Sequence, residues 1–152
     1  MKIRLVKNNS YSGSRVANSG TEGTSFLARE NNIGECPQLI IVLGTRNDDN
    51  NTELGSYKYS GWTEEDLTTY RPALAKLLTD LKDANIGSTI LFVSNSANTD
   101  KKASVVEICT HLSVPYLQVD LTTQEVTGVH PSTDGYKQFG TCIAATIQCL
   151  RG

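Results

Sequence analysis

Residues 39–43 read Leu-Ile-Ile-Val-Leu, form the longest apolar run of the sequence and are followed directly by Gly44-Thr45-Arg46-Asn47-Asp48. A continuously apolar run that ends at a glycine is typical of a parallel strand covered on both faces. Two further strands are predicted, a buried one at 89–93 and a short one at 116–119. The centre of the fold is therefore expected to be a parallel sheet.

Helical and alternating patterns surround these strands. Leucines spaced at i, i+3, i+4 and i+7 predict an amphipathic helix that ends near Asn85 and Gly87, with Pro72 marking a kink or a restart (Leu74, Leu77, Leu78 and Leu81). Further helices are predicted over 101–112, with Val106 among its inward residues, and over 134–150, with Tyr136 in its apolar stripe. One or two helical turns are predicted over 25–31. Alternation across Lys2–Lys7 predicts an edge strand. The order β-loop-β-α-β-α-β-α indicates an α/β fold, a mostly parallel sheet of four strands with helices on both faces.

The length, charge and hydrophobicity of the chain argue against several classes of function. The chain has 152 residues, of which 38% are hydrophobic, and we expect one domain spanning 1–152. Its 14 basic and 16 acidic residues argue against a nucleic-acid binder, and no apolar run is long enough for a membrane span. No signal peptide is visible, and the sequence does not indicate the cellular compartment of the protein.

Cofactor and metal motifs are also missing from the sequence. The four cysteines show neither C-x-x-C nor a pairing with histidine at metal-ligand spacing, and they are best interpreted as small buried side chains. Neither of the common glycine-rich phosphate loops follows a strand, which disfavours a nucleotide or flavin binder. We therefore expect no cofactor and no metal.

Three polar segments follow predicted strands or open the last helix: 8–16, 44–48 and 128–132. Each alone is explained by turn or helix-capping chemistry, but ligands bind at the carboxyl ends of parallel strands, where all three are expected to meet. Acyl transfer needs hydrogen-bond donors for an oxyanion and a base beside the nucleophile. The Gly13 N–H and the Asn47 amide are candidate donors, and His130 is the candidate base. The other histidine, His111, lies within a helical pattern.

The three segments, in order and topology, resemble blocks two, three and five of the SGNH (GDSL-type) hydrolases. The motifs that carry the resemblance are Gly-Thr-x-Asn-Asp at 44–48 and His-Pro-Ser-x-x-Gly-Tyr at 130–136. The resemblance implies a flavodoxin-like α/β/α sandwich and ester hydrolysis through an acyl-enzyme, on small or carbohydrate-linked acyl esters. It implies that Gly13 and Asn47 are oxyanion donors, that His130 is the base and that Asp48 supports the loop.

Two positions depart from the family pattern. No Gly-Asp-Ser, the block that carries the family's nucleophile, occurs in the sequence, and Thr127 stands where the triad acid is expected. A backbone carbonyl or Glu125 would then orient the imidazole. The serines of the candidate loops lack the strand-to-helix elbow that exposes a nucleophile (Ser10, Ser12, Ser14, Ser94 and Ser96).

The simplest hypothesis for the missing block is that the chain begins late and lacks a first strand. The sheet would then have a gap of unpaired backbone groups, which a second copy could fill in a homodimer. A catalytically silent relative that retains the cleft for ligand binding is the alternative function. Tyr57, Tyr59 and Trp62 could stack on a sugar, although packing over the sheet edge is the favoured interpretation.

Overall fold

The structure, a computed structural model, describes residues 3–121, 126–127 and 130–151. The longer elements alternate along the chain: β1 (Leu39–Gly44), α1 (Tyr70–Ala84), β2 (Thr89–Ser94), α2 (Thr99–His111), β3 (Tyr116–Gln118) and α3 (Thr133–Arg151). Two 3-10 turns, Leu27–Arg29 and Asp66–Thr68, precede β1 and α1, and a short hairpin of β4 (Val126–Thr127) and β5 (His130–Pro131) precedes α3. This is the alternating α/β order that the sequence predicts.

The main sheet is parallel, in the order β1-β2-β3. Leu39 is paired with Thr89, and Phe92 with Tyr116. The α/β prediction with a mostly parallel open sheet is confirmed. Among the described residues this sheet has three strands where four were expected.

The predicted strand at 2–7 is wrong over the residues that the structure describes. Residues 3–7 have no regular structure and make no backbone hydrogen bond to another described residue. The segment that follows them is held by side chains, because Asn9 donates its amide to the Arg29 carbonyl at 2.8 Å. Alternation makes a segment amphipathic, but a strand also needs a neighbouring strand to pair with.

Two hydrophobic clusters lie on the two faces of the sheet. Ile40 and Val42 of β1 share the larger cluster with residues of α1 and α2, including Leu74 and Ile108. On the other face, Leu91 and Val93 of β2 pack with residues of α3. The helices therefore cover the sheet from both sides, as the fold class requires.

The expectation that β1 is covered on both faces is wrong. Ile41 is 43% exposed and Leu43 is 46% exposed, while Ile40 and Val42 are buried. The α3 side chains that are buried on that face, Phe139 and Ile147, belong to the cluster around β2. One face of β1 is thus left partly open.

The helices begin and end close to the predicted residues. Pro72 lies in the first turn of α1, so it marks a helix start rather than a kink. Asn98 caps α2 by accepting from the N–H groups of Asp100 and Lys101. Two residues predicted to face inward do not: Val106 is 44% exposed and Tyr136 is 61% exposed. Within the described residues, the helices are too short or too polar to cross a membrane.

Candidate active site

A buried carboxylate joins the loop after β1 to the Gly13 segment. Asp48 is 1% exposed, and its Oδ2 accepts the N–H of Val16 at 2.9 Å. Its Oδ1 accepts the Ala17 N–H at 3.4 Å and the Thr52 hydroxyl at 3.1 Å. Burial raises the pKa of the Asp48 carboxyl above its ordinary value, although the two N–H donors oppose that shift. The supporting role expected of Asp48 therefore has a physical basis: it fixes one loop against the other.

The turn that presents Asn47 starts at a strained residue. Thr45 has a φ of +99°, in the left-handed region that non-glycine residues rarely adopt, and it is buried. Its carbonyl accepts the N–H of Asp48 at 2.8 Å, which closes the turn around Arg46 and Asn47. Strain of this kind costs on the order of 1–3 kcal/mol and is concentrated at functional sites.

The same loop is also tied to α2. The amine of Lys101, which is 2% exposed, donates to the carbonyls of Asp49 at 3.1 Å and Thr52 at 2.8 Å. Burial lowers the pKa of this amine. The Asp49 carboxylate in turn accepts the Ser96 hydroxyl at 2.5 Å and the Ala97 N–H at 2.8 Å. The segment that carries Asn47 is thus rigidly attached to the first turn of α2.

The side chain of Asn47 reaches the Gly13 segment. Its Nδ2 donates to the Ser14 carbonyl at 2.9 Å. An amide nitrogen carries two hydrogens, and the Asn47 Nδ2 makes no other hydrogen bond to a described residue, so a second hydrogen is available for a ligand. Gly13 has a φ of +72°, and within the described residues its N–H has no acceptor. The two candidate donors therefore lie on adjoining loops.

His130 lies in the β4–β5 hairpin that precedes α3. It is exposed, and its backbone pairs with that of Thr127 in the β4–β5 hairpin. A cavity of about 970 Å³ is lined by Asn47 and His130 together, and Ser14 also lines it. Gly13 itself does not line the cavity, although Ser14, the next residue, does. The side chain of Thr127 and the whole of Glu125 lie outside the described residues, so no orienting group for the imidazole is assigned.

The hydroxyl groups considered as nucleophiles are mostly engaged elsewhere. The Ser14 hydroxyl donates to the Thr24 carbonyl at 2.6 Å and accepts from the Arg29 guanidinium at 2.8 Å. Ser94 and Ser96 are 0% and 2% exposed. Ser10 is exposed and lines the cavity, but it lies in irregular chain with no elbow.

Of the three aromatic residues that could stack on a sugar, Tyr59 and Trp62 pack against the protein, whereas Tyr57 is 42% exposed and lies under the Arg71 guanidinium. Tyr59 stacks on His111 with ring centroids 3.6 Å apart, and Trp62 donates its Nε1–H to the Lys58 carbonyl at 2.9 Å. Both rings are packed against the larger core cluster. The packing interpretation therefore agrees with Tyr59 and Trp62, and His111 has a structural contact with Tyr59.

Asn95 is a cavity residue that the sequence analysis missed. It follows β2, lines the cavity and accepts the Arg46 N–H on its Oδ1 at 3.2 Å. Its position directly after a buried strand was the available signal, because such positions meet at one edge of the sheet. Among the described residues, the acidic, histidine and cysteine side chains form no cluster of three suited to a metal ion.

Comparison with known proteins decides the family. Residues 1–147 match the family model of the GDSL-like lipase/acylhydrolases. The chain belongs to this family. The GDSL-like chain described here is similar to a solved protein from Bacteroides ovatus ATCC 8483 that carries the description GDSL-like lipase. The two are 36% identical with a TM-score of 0.87, over 95% of this chain and 72% of the other.

A second solved structure gives the same result. It is a protein from Bacteroides uniformis ATCC 8492, also described as a GDSL-like lipase, with 33% identity and a TM-score of 0.85. The match covers 94% of this chain and 69% of the other. A comparison with curated proteins finds no match. The resemblance inferred from the sequence motifs is thereby confirmed at the level of the family and the fold.

Proposed function

We propose that this GDSL-like domain hydrolyses small acyl esters, including acetyl esters on carbohydrates. In this proposal Asn47 and Gly13 donate hydrogen bonds to the oxyanion, and His130 is the general base. The observation that supports it best is that Asn47, with one amide hydrogen unused, and His130 line one cavity.

The hydrogen bonds that hold the Asn47 loop in place favour its proposed role in stabilising an oxyanion. Donors aimed at developing negative charge stabilise a transition state most when they need no reorganisation during the reaction. Asp48 and Lys101 fix the Asn47 loop from two sides, through buried hydrogen bonds. Histidine is the side chain that most often serves as a general base in catalysis. The hydroxyl that it would activate is not assigned, since the sequence holds no Gly-Asp-Ser.

The test is hydrolysis of p-nitrophenyl acetate by the wild type and by three single variants. We expect His130→Ala to abolish turnover and Asn47→Ala to lower kcat by roughly 10²–10³-fold, the usual effect of losing one oxyanion donor. His111→Ala is the matched control, because this histidine is stacked on Tyr59 away from the cavity. Equal turnover in wild type and His130→Ala would contradict the proposal.

A catalytically silent, ligand-binding domain is the second candidate. It is favoured by the engaged hydroxyls of Ser14 and Ser96 and by the missing nucleophile block. This candidate predicts no turnover in the wild type, together with chemical-shift changes of His130 when an acetylated sugar is added. Turnover that depends on His130 would exclude it.

A further inference from the structure

Arg29 holds the turn that contains Gly13. In this turn the N–H of Ser14 donates to the Tyr11 carbonyl at 3.3 Å, and Gly13 lies between them with a φ of +72°. A glycine with a positive φ at the third position is typical of a type II turn. This backbone bond is longer than usual, so side-chain contacts decide how firmly the turn is fixed.

The guanidinium of Arg29 donates to oxygen atoms on both sides of this turn. Its Nη1 donates to the carbonyl of Asn9 and, at 3.1 Å, to the side-chain oxygen of the same residue. Its Nη2 donates to the Ser14 hydroxyl at 2.8 Å, and its Nε donates to the Thr24 carbonyl at 3.1 Å. The guanidinium carbon lies 5.5 Å from the centroid of the Tyr11 ring. One side chain thus spans the whole turn.

The same contact also reaches Asn47. The hydroxyl of Ser14 accepts from Arg29, and the carbonyl of Ser14 accepts from the Asn47 Nδ2 at 2.9 Å. Both candidate oxyanion donors, the Gly13 N–H and the Asn47 amide, are therefore attached to the residue that Arg29 holds. Such donors stabilise a transition state most when they are already fixed where the negative charge develops.

The hydrophobic core in turn places Arg29. This residue ends the 3-10 turn Leu27–Arg29, in which Leu27 is buried. The ring of the preceding Phe26 lies so close to Gly44, the last residue of β1, that an added Cβ would meet it at 3.1 Å. The guanidinium therefore links the end of β1, where the Asn47 loop begins, to the Gly13 turn.

We propose that Arg29 is a positioning residue for the oxyanion site, which holds the Gly13 turn and, through Ser14, the Asn47 amide. This inference rests on the proposed ester hydrolysis. A guanidinium suits the task because its five N–H donors have a fixed planar arrangement, whereas the ammonium of lysine is a compact charge on a flexible stem. Arg29→Lys therefore keeps the charge and loses the span.

The chain contains a matched control arginine. The Arg71 guanidinium carbon lies 4.3 Å from the centroid of the Tyr57 ring, and the group donates to the Ser104 hydroxyl and the Gly55 carbonyl, each at 3.0 Å. An aromatic ring, a hydroxyl and a backbone carbonyl are the same kinds of partner that Arg29 has. Arg71 lies outside the described lining of the cavity, so Arg71→Lys makes the same chemical change away from the candidate site.

The experiment compares kcat and KM of Arg29→Lys and Arg71→Lys with those of the wild type on p-nitrophenyl acetate. We expect Arg29→Lys to lower kcat by roughly tenfold to a hundredfold, as a small misplacement of catalytic groups does, with KM nearly unchanged. Arg71→Lys should keep the wild-type kcat even if both variants lose stability. Equal kcat values in the two variants would overturn the proposal.

Asn9→Ala is a further variant, and it keeps the proposal testable if Arg29→Lys does not fold. It removes the side chain that bonds to Arg29 in both directions, as acceptor from the guanidinium and as donor to the carbonyl. We expect its kcat to fall less than in Arg29→Lys, because the Ser14 contact remains. Wild-type kcat in every folded variant at positions 9 and 29 would overturn the proposal.

NMR of isotope-labelled protein gives a readout that does not depend on turnover. The amide signals of Gly13 and Ser14 should shift in Arg29→Lys and stay at their wild-type positions in Arg71→Lys. A wild type without turnover contradicts the proposed function, and the NMR result then decides the role of Arg29 in holding the turn. Shifts confined to Arg29→Lys support that role, and unshifted signals overturn it. Wild-type turnover with an unchanged kcat in Arg29→Lys overturns only the role of Arg29.

Discussion

At the scale of single residues, the role of Gly13 can be tested by comparison with Gly23, a glycine of the same backbone conformation. Gly13 and Gly23 have φ values of +72° and +73°, and an added Cβ would meet no atom within 4 Å at either position. Alanine at either site therefore suffers only the left-handed backbone penalty, about 1–2 kcal/mol. We expect Gly13→Ala and Gly23→Ala to lose similar free energies of unfolding, measured by urea denaturation.

The activity of the two variants should differ. Alanine keeps the N–H but disfavours the left-handed φ, so a backbone shift at residue 13 would move this donor away from the oxyanion. We therefore expect Gly13→Ala to lower turnover of p-nitrophenyl acetate and Gly23→Ala to retain wild-type turnover. Equal turnover in both variants would remove Gly13 from the proposed site. Equal stability loss is the internal check that the pair is matched.

Asp48 gives a second prediction at this scale. Asp48→Ala leaves the N–H groups of Val16 and Ala17, both 0% exposed, without an acceptor. Each unpaired buried donor costs about 1–3 kcal/mol. Asp48→Asn keeps one acceptor oxygen and should lose less. Urea denaturation of the two variants measures the difference, and equal losses would show that these hydrogen bonds do not hold the loop.

At the scale of elements, the contact between the first 3-10 turn and α1 contains a carboxyl pair. Burial, then the neighbouring Asp80 carboxylate, raises the pKa of Glu30 from 4.5 to about 7. The Lys76 ammonium, which is paired with Asp80, opposes this shift. Because the folded chain holds this proton more tightly than the unfolded chain, this group's contribution to stability falls as the pH rises from 4.5 to about 7.

Glu30→Gln tests this coupling. The glutamine amide does not titrate. The free energy of unfolding of the variant should therefore fall less than that of the wild type as the pH rises from 4.5 to about 7. Denaturant titrations at several pH values measure it. Glu35→Gln, an exposed carboxyl on the same cavity, is the control and should follow the wild type. A Glu30→Gln profile identical to the wild type would show that Glu30 titrates normally.

At the scale of the whole molecule, the sheet has one covered side and one partly open side. α1 and α2 bury one face of β1 and β2, while the α3 residues that are buried on the opposite face pack around β2. The uncovered part of β1 forms a wall of the cavity that also contains Asn47 and His130. The candidate site therefore lies beside the partly open face of β1.

Sequence patterns predict the elements of this fold well where hydrophobic periodicity and local signals agree. The leucines of α1 and the apolar run of β1 each act within a few residues, so these two elements lie close to the predicted bounds. The motif at 44–48 likewise points to the correct family. Val106 and Tyr136 are predicted to face inward but are exposed. A periodicity shows which residues share a face of a helix, but it does not show how much of that face other elements cover.

What the sequence determined by itself was the alternating α/β order, the parallel sheet and the family. These follow from local periodicity and from short motifs that require no knowledge of distant contacts. Only the tertiary structure decided that residues 3–7 remain unpaired, that Asp48 fastens the Asn47 loop to the Gly13 segment and that one face of β1 is open. Each of these depends on which surfaces meet across long stretches of chain, and hydrophobicity along the sequence does not specify the partner.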